Sequence, residues 1–364
     1  MSSIKTGLLR VFHLFDVAEA LELAEVPALL GCDAPPARLS FKPLTPPYVQ
    51  YQQGPLAVDG RQLGVPAIDG FEVAIRLYDF GVFSLALSRP YCGSWSDLVA
   101  EGQRLQSHDL IEDHAQTVAR RLLERVRPAA TQPREQFLNE DYIVFAVTSL
   151  DPPLDAEGLL AEHGDDIAAL LRGEPAALSR QERDETLRHR ISYLRDDLVV
   201  PAWNSAFVFD TPAAVPAIFD LMEIANSQLL TFRYYDDLLD RELASIYPML
   251  KARQAIVAFG ARRYLRAAHR IQALVVDVNE LTDKSENVLK MMGDVYAARV
   301  YALTAGRLGL DQWKRNVQEK LDALDDIYRF AVDQAQMARG HLLELTIILI
   351  LLLELALFFM GIMK

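Results

Sequence analysis

The stretch Leu345–Met363 reads LTIILILLLELALFFMGIM, nineteen residues with a single carboxylic acid, Glu354, at the midpoint. In a helix it rises about 28 Å, close to the thickness of a bilayer's hydrocarbon core. An ionised carboxylate at that depth costs roughly 2.5–3.5 kcal/mol. The surrounding leucines and isoleucines return a few tenths of a kcal/mol each. The stretch therefore predicts one C-terminal transmembrane helix with the lipid bilayer as its partner. Glu344 and Glu354 lie ten residues apart, within roughly 80° of each other on a helix. Two acids on that side predict an intramembrane contact with another helix, made by Glu344 and Glu354.

Working outward, the first thirty residues show no charged start, unbroken apolar core and small-residue cleavage site in sequence, which argues against a signal peptide. The expectation is a tail-anchored, single-pass protein with its bulk in the cytoplasm, at the inner membrane if the source is bacterial. Only two cysteines, Cys32 and Cys92, occur in 364 residues, too few for a disulfide framework or a metal cluster. A net charge of -13 argues against nucleic acid as the main partner, because such proteins present a basic footprint. The one basic stretch, ARRYLRAAHR (Ala261–Arg270), reads as a solvated helix face.

Residues 1–210 mix short strand-like and helical runs. Strands are expected in LLRVFHLF (8–15), ARLSFKP (37–43), FEVAIRLYDF (71–80), VFSLALS (82–88), DYIVFAV (141–147) and SAFVFD (205–210), each rich in β-branched or aromatic residues. Helical periodicity marks DVAEALELAEVPALLG, SWSDLVAEGQRL, DHAQTVARRLLERV and AEGLLAEHGDDIAALLRG. The irregular order indicates an α+β domain.

From Thr211 the texture changes to long helices. Val215, Ile218, Met222, Ala225, Leu229, Phe232, Asp236, Leu239, Leu243, Ile246 and Leu250 form a heptad stripe broken once by an acid, and Pro248 is expected to bend or end that helix. A second helical stretch runs from Leu274 to Val295. A third, capped at Asp311, carries Val317, Leu321, Leu324 and Tyr328 on one stripe. That stripe continues in phase through Leu345, Leu349, Leu352, Ala356 and Phe359, which predicts one helix of about 50 residues and a partner along its length. The expected architecture is an α+β N-terminal domain (1–210), a coiled-coil-like long-helix region (211–340) and a transmembrane anchor (341–364). Asp236, Tyr235, Leu321, Leu324 and Tyr328 are expected to set register and assembly of a homo-oligomer.

Two stretches, NSQLLTFRYYDDLLDRELASIY (226–247) and RGHLLELTIILILLLELALFF (339–359), resemble the "required for meiotic nuclear division" family, or YagE-like domain. The likeness covers about residues 70–364, is most specific in RYYDDLLD (233–240) and the paired tail glutamates, Glu344 and Glu354, and extends more weakly to LYDFGVFSL (77–85). It implies a membrane-anchored, oligomeric protein whose mitochondrial relatives support organelle translation, with no catalytic residues to carry over.

Other constellations are weak. HDLIEDH (108–114) offers His108 and Glu112 at i, i+4 spacing as a metal pair, with His114 nearby but no third ligand in register. LRHRISYLRDD (187–197) is alternating surface charge. Phosphate loops and nucleophile elbows are absent from the sequence, and no catalytic, cofactor or metal residue is assigned. The expected function is a membrane-tethered, homo-oligomeric scaffold that captures a protein partner. Its alternatives are a channel subunit of CorA-like layout and a membrane-anchored hydrolase or nuclease.

Overall fold

The computed structural model describes residues 2–32, 35, 55–107, 109–174, 176–251, 275–276, 278 and 294–359. Its organising element is a long central strand, β1 (Ser3–Asp16). Along β1, side chains alternate between two faces. Leu9, Val11 and Phe15 join one buried apolar cluster, while Phe12 turns the other way and meets Phe219 edge-on, ring centroids 6.4 Å apart. A strand buried on both faces needs cover on both, and the chain supplies it.

Around β1 are arranged β3 (Leu56–Asp59), β4 (Glu72–Leu77), β5 (Val82–Gly93), β7 (Leu138–Asp151), β8 (Leu198–Pro201) and β9 (Ser205–Phe209) in the order β3-β4-β5-β1-β7-β9-β8. Every neighbouring pair is antiparallel except β7 with β9, which is parallel. Two short strands, β2 (Ala20–Leu21) and β6 (Ala130–Thr131), pair separately. Gly81 makes the β4–β5 turn at φ 77°, a conformation that favours glycine. A Cβ there would sit 1.9 Å from the Ala18 carbonyl oxygen.

One face of the sheet is covered by α1 (Val26–Leu30), α2 (Trp95–Gln106), α3 (Asp109–Val126) and α4 (Ala156–Arg172), whose apolar residues join the same cluster as Leu9, Val11 and Phe15. Side chains start these helices where orphan N–H groups need an acceptor: Ser94 accepts from Asp97 N at 3.2 Å and Asp155 from Gly158 N at 2.8 Å. α5 (Arg180–Arg188) begins in the same way, with Ser179 accepting from Glu182 N. The first turns of α6 (Val215–Lys251) cover the other face. There Val215, Ile218, Phe219, Met222, Ala225 and Leu229 are all buried. α7 (Val295–Arg307) and α8 (Leu310–Phe359) complete the described elements.

The chain divides into two compact units, Met1–Tyr234 with Lys284–Trp313, and Tyr235–Asp283 with Lys314–Lys364. The α+β expectation for the N-terminal region stands, as do five of the expected strands and the 50-residue α8. ARLSFKP, ARRYLRAAHR and most of the helical stretch from Leu274 to Val295 lie outside the described residues. Pro248 does not end α6, which runs on to Lys251.

The transmembrane expectation is corrected. Among the described residues no helix is long and apolar enough to cross a membrane. With that, the transmembrane anchor, the single-pass tail-anchored placement and the intramembrane contact of Glu344 and Glu354 fall. Both glutamates are exposed on α8.

Candidate functional site

The acids buried most deeply among the described residues, Asp220 and Glu223, lie between β4, β5, β1 and the start of α6. Strand register places Arg76 beside Ser84, and Ser88 beside Arg10. From above, α6 contributes Asp220 and Glu223, three residues apart and so on one helical face. Arg76 donates through Nη2 to Asp220 at 2.6 Å and through Nη1 to Glu223 at 2.6 Å. Tyr78 OH donates to Glu223 at 3.2 Å, and Arg10 Nε donates to Ser88 at 3.0 Å. The Arg10 guanidinium also lies 4.3 Å from the Phe219 ring centroid.

Burial alone would lower the pKa of Arg76, but the charges of Glu223, Tyr78 and Asp220 outweigh it and hold the guanidinium charged. Burial, reinforced by the Glu223 charge, raises Tyr78 well above its ordinary value. Asp220 and Glu223 are 2% and 1% exposed, so a substrate has no path to them. Chemically this cluster is a clamp that fixes the first turns of α6 on the sheet.

A second polar series joins β1 to α4. Ser2 Oγ lies 2.9 Å from His163 Nε2, and His163 Nδ1 lies 2.8 Å from Asp166 Oδ2. His163 breaks the helical conformation of α4, with φ -125° and ψ 17°, and its ring stacks on Trp95 at 4.4 Å. Serine, histidine and aspartate in that order are the parts of a nucleophilic hydrolase. Here Ser2 and His163 are buried, and Trp95 covers the imidazole. On β1 itself, both ring nitrogens of the buried His13 lack a hydrogen-bond partner among the described residues. Burial pulls the pKa of His13 down to about 4.

The residues expected to set register lie on α6 and α8. Lys320 bridges Asp236 and Asp240, each at 2.7 Å. Burial would lower the pKa of Lys320, yet hydrogen bonds and charge from Asp236 and Asp240 prevail and raise it. Leu239, Val317, Leu321 and Leu324 are buried in the same unit, while Tyr235 and Tyr328 are half-buried. Elsewhere in RYYDDLLD, Arg233 pairs with Glu140, and Arg134 lies 3.6 Å over the Tyr234 ring while bonding Asp16 at 2.9 Å.

Two weaker constellations resolve into structure. His108 lies outside the described residues, Glu112 accepts from Asn139 at 2.6 Å, and no group of three metal-ligating side chains occurs among the described residues. In LRHRISYLRDD, Asp197 is a buried loop cap accepting from Tyr193 N at 2.6 Å and Leu194 N at 2.7 Å. Composition alone had given it a surface role.

The α+β domain built around β1 has a counterpart among known families. Residues 6–214 match the family model described as the N-terminal domain of the uncharacterized protein MJ0711. The chain belongs to that family. Uncharacterized protein MJ0711 of Methanocaldococcus jannaschii is 24% identical over 223 residues, covering 61% of this chain and 66% of that protein. The match thus spans just under two thirds of the relative's length. No solved structure matches. The family's domain contains the sheet, α1–α5 and the Ser2-facing side of α4, and it ends just before α6 supplies Asp220 and Glu223.

Membership corrects the resemblance to the "required for meiotic nuclear division" family. That resemblance was most specific in RYYDDLLD and the tail, both outside residues 6–214, while its weaker stretch, LYDFGVFSL (77–85), lies inside the domain that matches the MJ0711 family instead. The physical reason is that charged and tyrosine side chains at helical spacing answer to local partners, here Glu140 for Arg233, Arg134 for Tyr234 and Lys320 for Asp236 and Asp240, which any long helix can meet.

Proposed function

We propose that the chain is a homo-oligomeric interaction protein in which the MJ0711-type domain presents the partner-binding surfaces and α8 drives self-assembly. One observation carries this. The stripe that buries Val317, Leu321 and Leu324 in the first half of α8 continues in heptad phase into Leu345, Leu349 and Leu352, which are 67%, 66% and 58% exposed. A sustained a/d stripe of leucines supports pairing with a second copy along the same seam, and closed symmetric pairing is the commonest way to cover it. Apolar side chains left in contiguous exposure mark interaction surfaces.

Light scattering after gel filtration tests this. The full chain should run as a discrete oligomer at micromolar concentration, and Leu345→Glu with Leu349→Glu and Leu352→Glu should return it to monomer with unchanged helical content. A monomeric wild type would refute self-assembly through α8. Hydrolysis at Ser2 is the competing proposal, supported by the Ser2–His163–Asp166 series and opposed by its burial.

A further inference from the structure

Beside α3 lies a cavity of 540 Å³, within the range of small-molecule sites, roughly 300–1,000 Å³. One wall is the turn after β3. Asp59 accepts from Arg61 N at 2.9 Å, Val65 N donates to Gly60 O at 2.9 Å, and Gly64 takes φ 70°. That turn presents Leu63, Val65 and Pro66 to the cavity. The opposite wall is one face of α3, where Val118 and Leu122 extend the apolar lining.

The same face of α3 carries His114, Arg121 and Arg125 into the lining. Arginines four apart are neighbours on a helix and repel by a few tenths of a kcal/mol. Neither has an ion pair among the described residues, and Arg125 Nη2 donates only to the Leu30 carbonyl. His114 Nε2 is buried without a hydrogen-bond partner among the described residues, although buried polar atoms are as a rule satisfied. Two guanidiniums therefore meet at one end of an apolar cavity with no counter-charge beside them, while His114 lies about 10 Å along the helix axis from Arg121, next to Asp113. Asp113, the acid of the lining, sits about 12 Å along the helix axis from Arg121.

We infer that this cavity binds a small organic phosphate. The phosphate accepts from Arg121 and Arg125, whose forked guanidiniums suit it. The apolar body lies on Leu63, Val65 and Pro66. Asp113 keeps the anion at the arginine end, so the ligand has one orientation. The site lies wholly inside the MJ0711-type domain and is independent of assembly through α8.

Isothermal titration of the full chain with phenyl phosphate tests the assignment, with inorganic phosphate, benzoate and benzyl alcohol as comparators. Phenyl phosphate should bind at least about tenfold more tightly than each comparator, because benzyl alcohol loses the charged bonds, inorganic phosphate the apolar contact, and benzoate the second negative charge and third acceptor oxygen that two arginines use. Arg121→Gln, at an exposed position, should weaken it by about tenfold or more at unchanged melting temperature. Val65→Trp, which fills the cavity, should abolish binding. Absence of heat with phenyl phosphate, or unchanged affinity in Arg121→Gln, overturns the site. Equal binding of benzyl alcohol overturns the anion subsite, equal binding of inorganic phosphate the apolar subsite, and equal binding of benzoate the choice of phosphate over carboxylate.

Discussion

Arg76 on β4 and Glu223 on α6 meet at 2.6 Å in a place where the glutamate is 1% exposed and the arginine side chain 19%. The pair is separated by 147 residues, so it joins the family's domain to the helix that follows it. Desolvating two ions costs several kcal/mol each, and their attraction repays this only while both are present. Arg76→Met should therefore destabilise the protein by about 3–5 kcal/mol, since it strands Glu223 and Asp220 together. Adding Asp220→Asn and Glu223→Gln should restore a large part of that loss. Urea denaturation of the two variants checks it; a triple variant no more stable than Arg76→Met would mean that packing, not charge, dominates.

The pH dependence of folding should show two opposed contributions from β1. His13 falls from 6.5 to about 4 on burial, so the folded state binds its proton less readily. Its contribution is complete above pH 6.5 and is lost as pH falls toward 4. Burial raises Asp16 from 3.8 to about 6 although Arg134 opposes it. Its contribution is complete below pH 3.8 and is lost as pH rises through 6. Each amounts to about 3 kcal/mol at most, and between pH 4 and 6 the two slopes nearly cancel. Relative to wild type, His13→Leu should become less stable as pH rises across that window, and Asp16→Asn more stable. Parallel stability curves for all three proteins would exclude both titrations.

How far the sequence could be read follows from the range of each determinant. Strands such as 82–88 and 141–147 were legible because β-branched and aromatic runs report a buried pleated surface locally. Leu56–Asp59 and Leu198–Pro201 were missed; each is four residues long, too short for alternation to register. The run 16–31 has helical periodicity yet yields β2 and only a five-residue α1. Distant backbone groups override it: Val17 N donates to Gly81 O at 2.9 Å and Leu21 N to Asp79 O at 2.8 Å. Asp220 and Glu223, two acids three apart within the apolar start of α6, were a visible signal of a buried clamp, but their partner Arg76 was not. The cavity beside α3 was illegible for the same reason, its walls lying about fifty residues apart in sequence.

Asp236, the acid expected to set register, has a cation beside it. Lys320 is 23% exposed at its side chain and serves both Asp236 (17%) and Asp240 (59%). Removing the lysine leaves Asp236 half-desolvated without its charge partner, so Lys320→Met should cost about 1–3 kcal/mol. Asp240→Asn, on the solvent side, should cost less than about 1 kcal/mol. Asp236→Leu should leave Lys320 on Asp240 and keep most of the thermal stability, while broadening the distribution of oligomers because a seam polar group sets register. Calorimetry with light scattering separates the two effects, and a sharp, unchanged oligomer in Asp236→Leu would remove Asp236 from any role in assembly.

The Ser2–His163–Asp166 series distinguishes a structural pin from a nucleophile. As a pin, it ties the start of β1 to the point where α4 departs from helical geometry, with Ser2 N also donating to Glu162 at 2.7 Å. Removing the hydroxyl then costs one buried hydrogen bond, about 0.5–1.5 kcal/mol, plus the penalty of the imidazole nitrogen it leaves unmet. Ser2→Ala should thus lower the melting temperature by several degrees, while His163→Ala, which also removes the ring stacked on Trp95, should lower it further. As a nucleophile, Ser2 must meet an incoming carbonyl or phosphorus atom, yet it is 4% exposed and the imidazole 2%. Incubation of the full chain with a fluorophosphonate should accordingly leave its intact mass unchanged. A covalent adduct on Ser2 that disappears in His163→Ala would reverse the assignment, since only an activated and accessible hydroxyl reacts in this way, and would move hydrolysis ahead of assembly as the chain's activity.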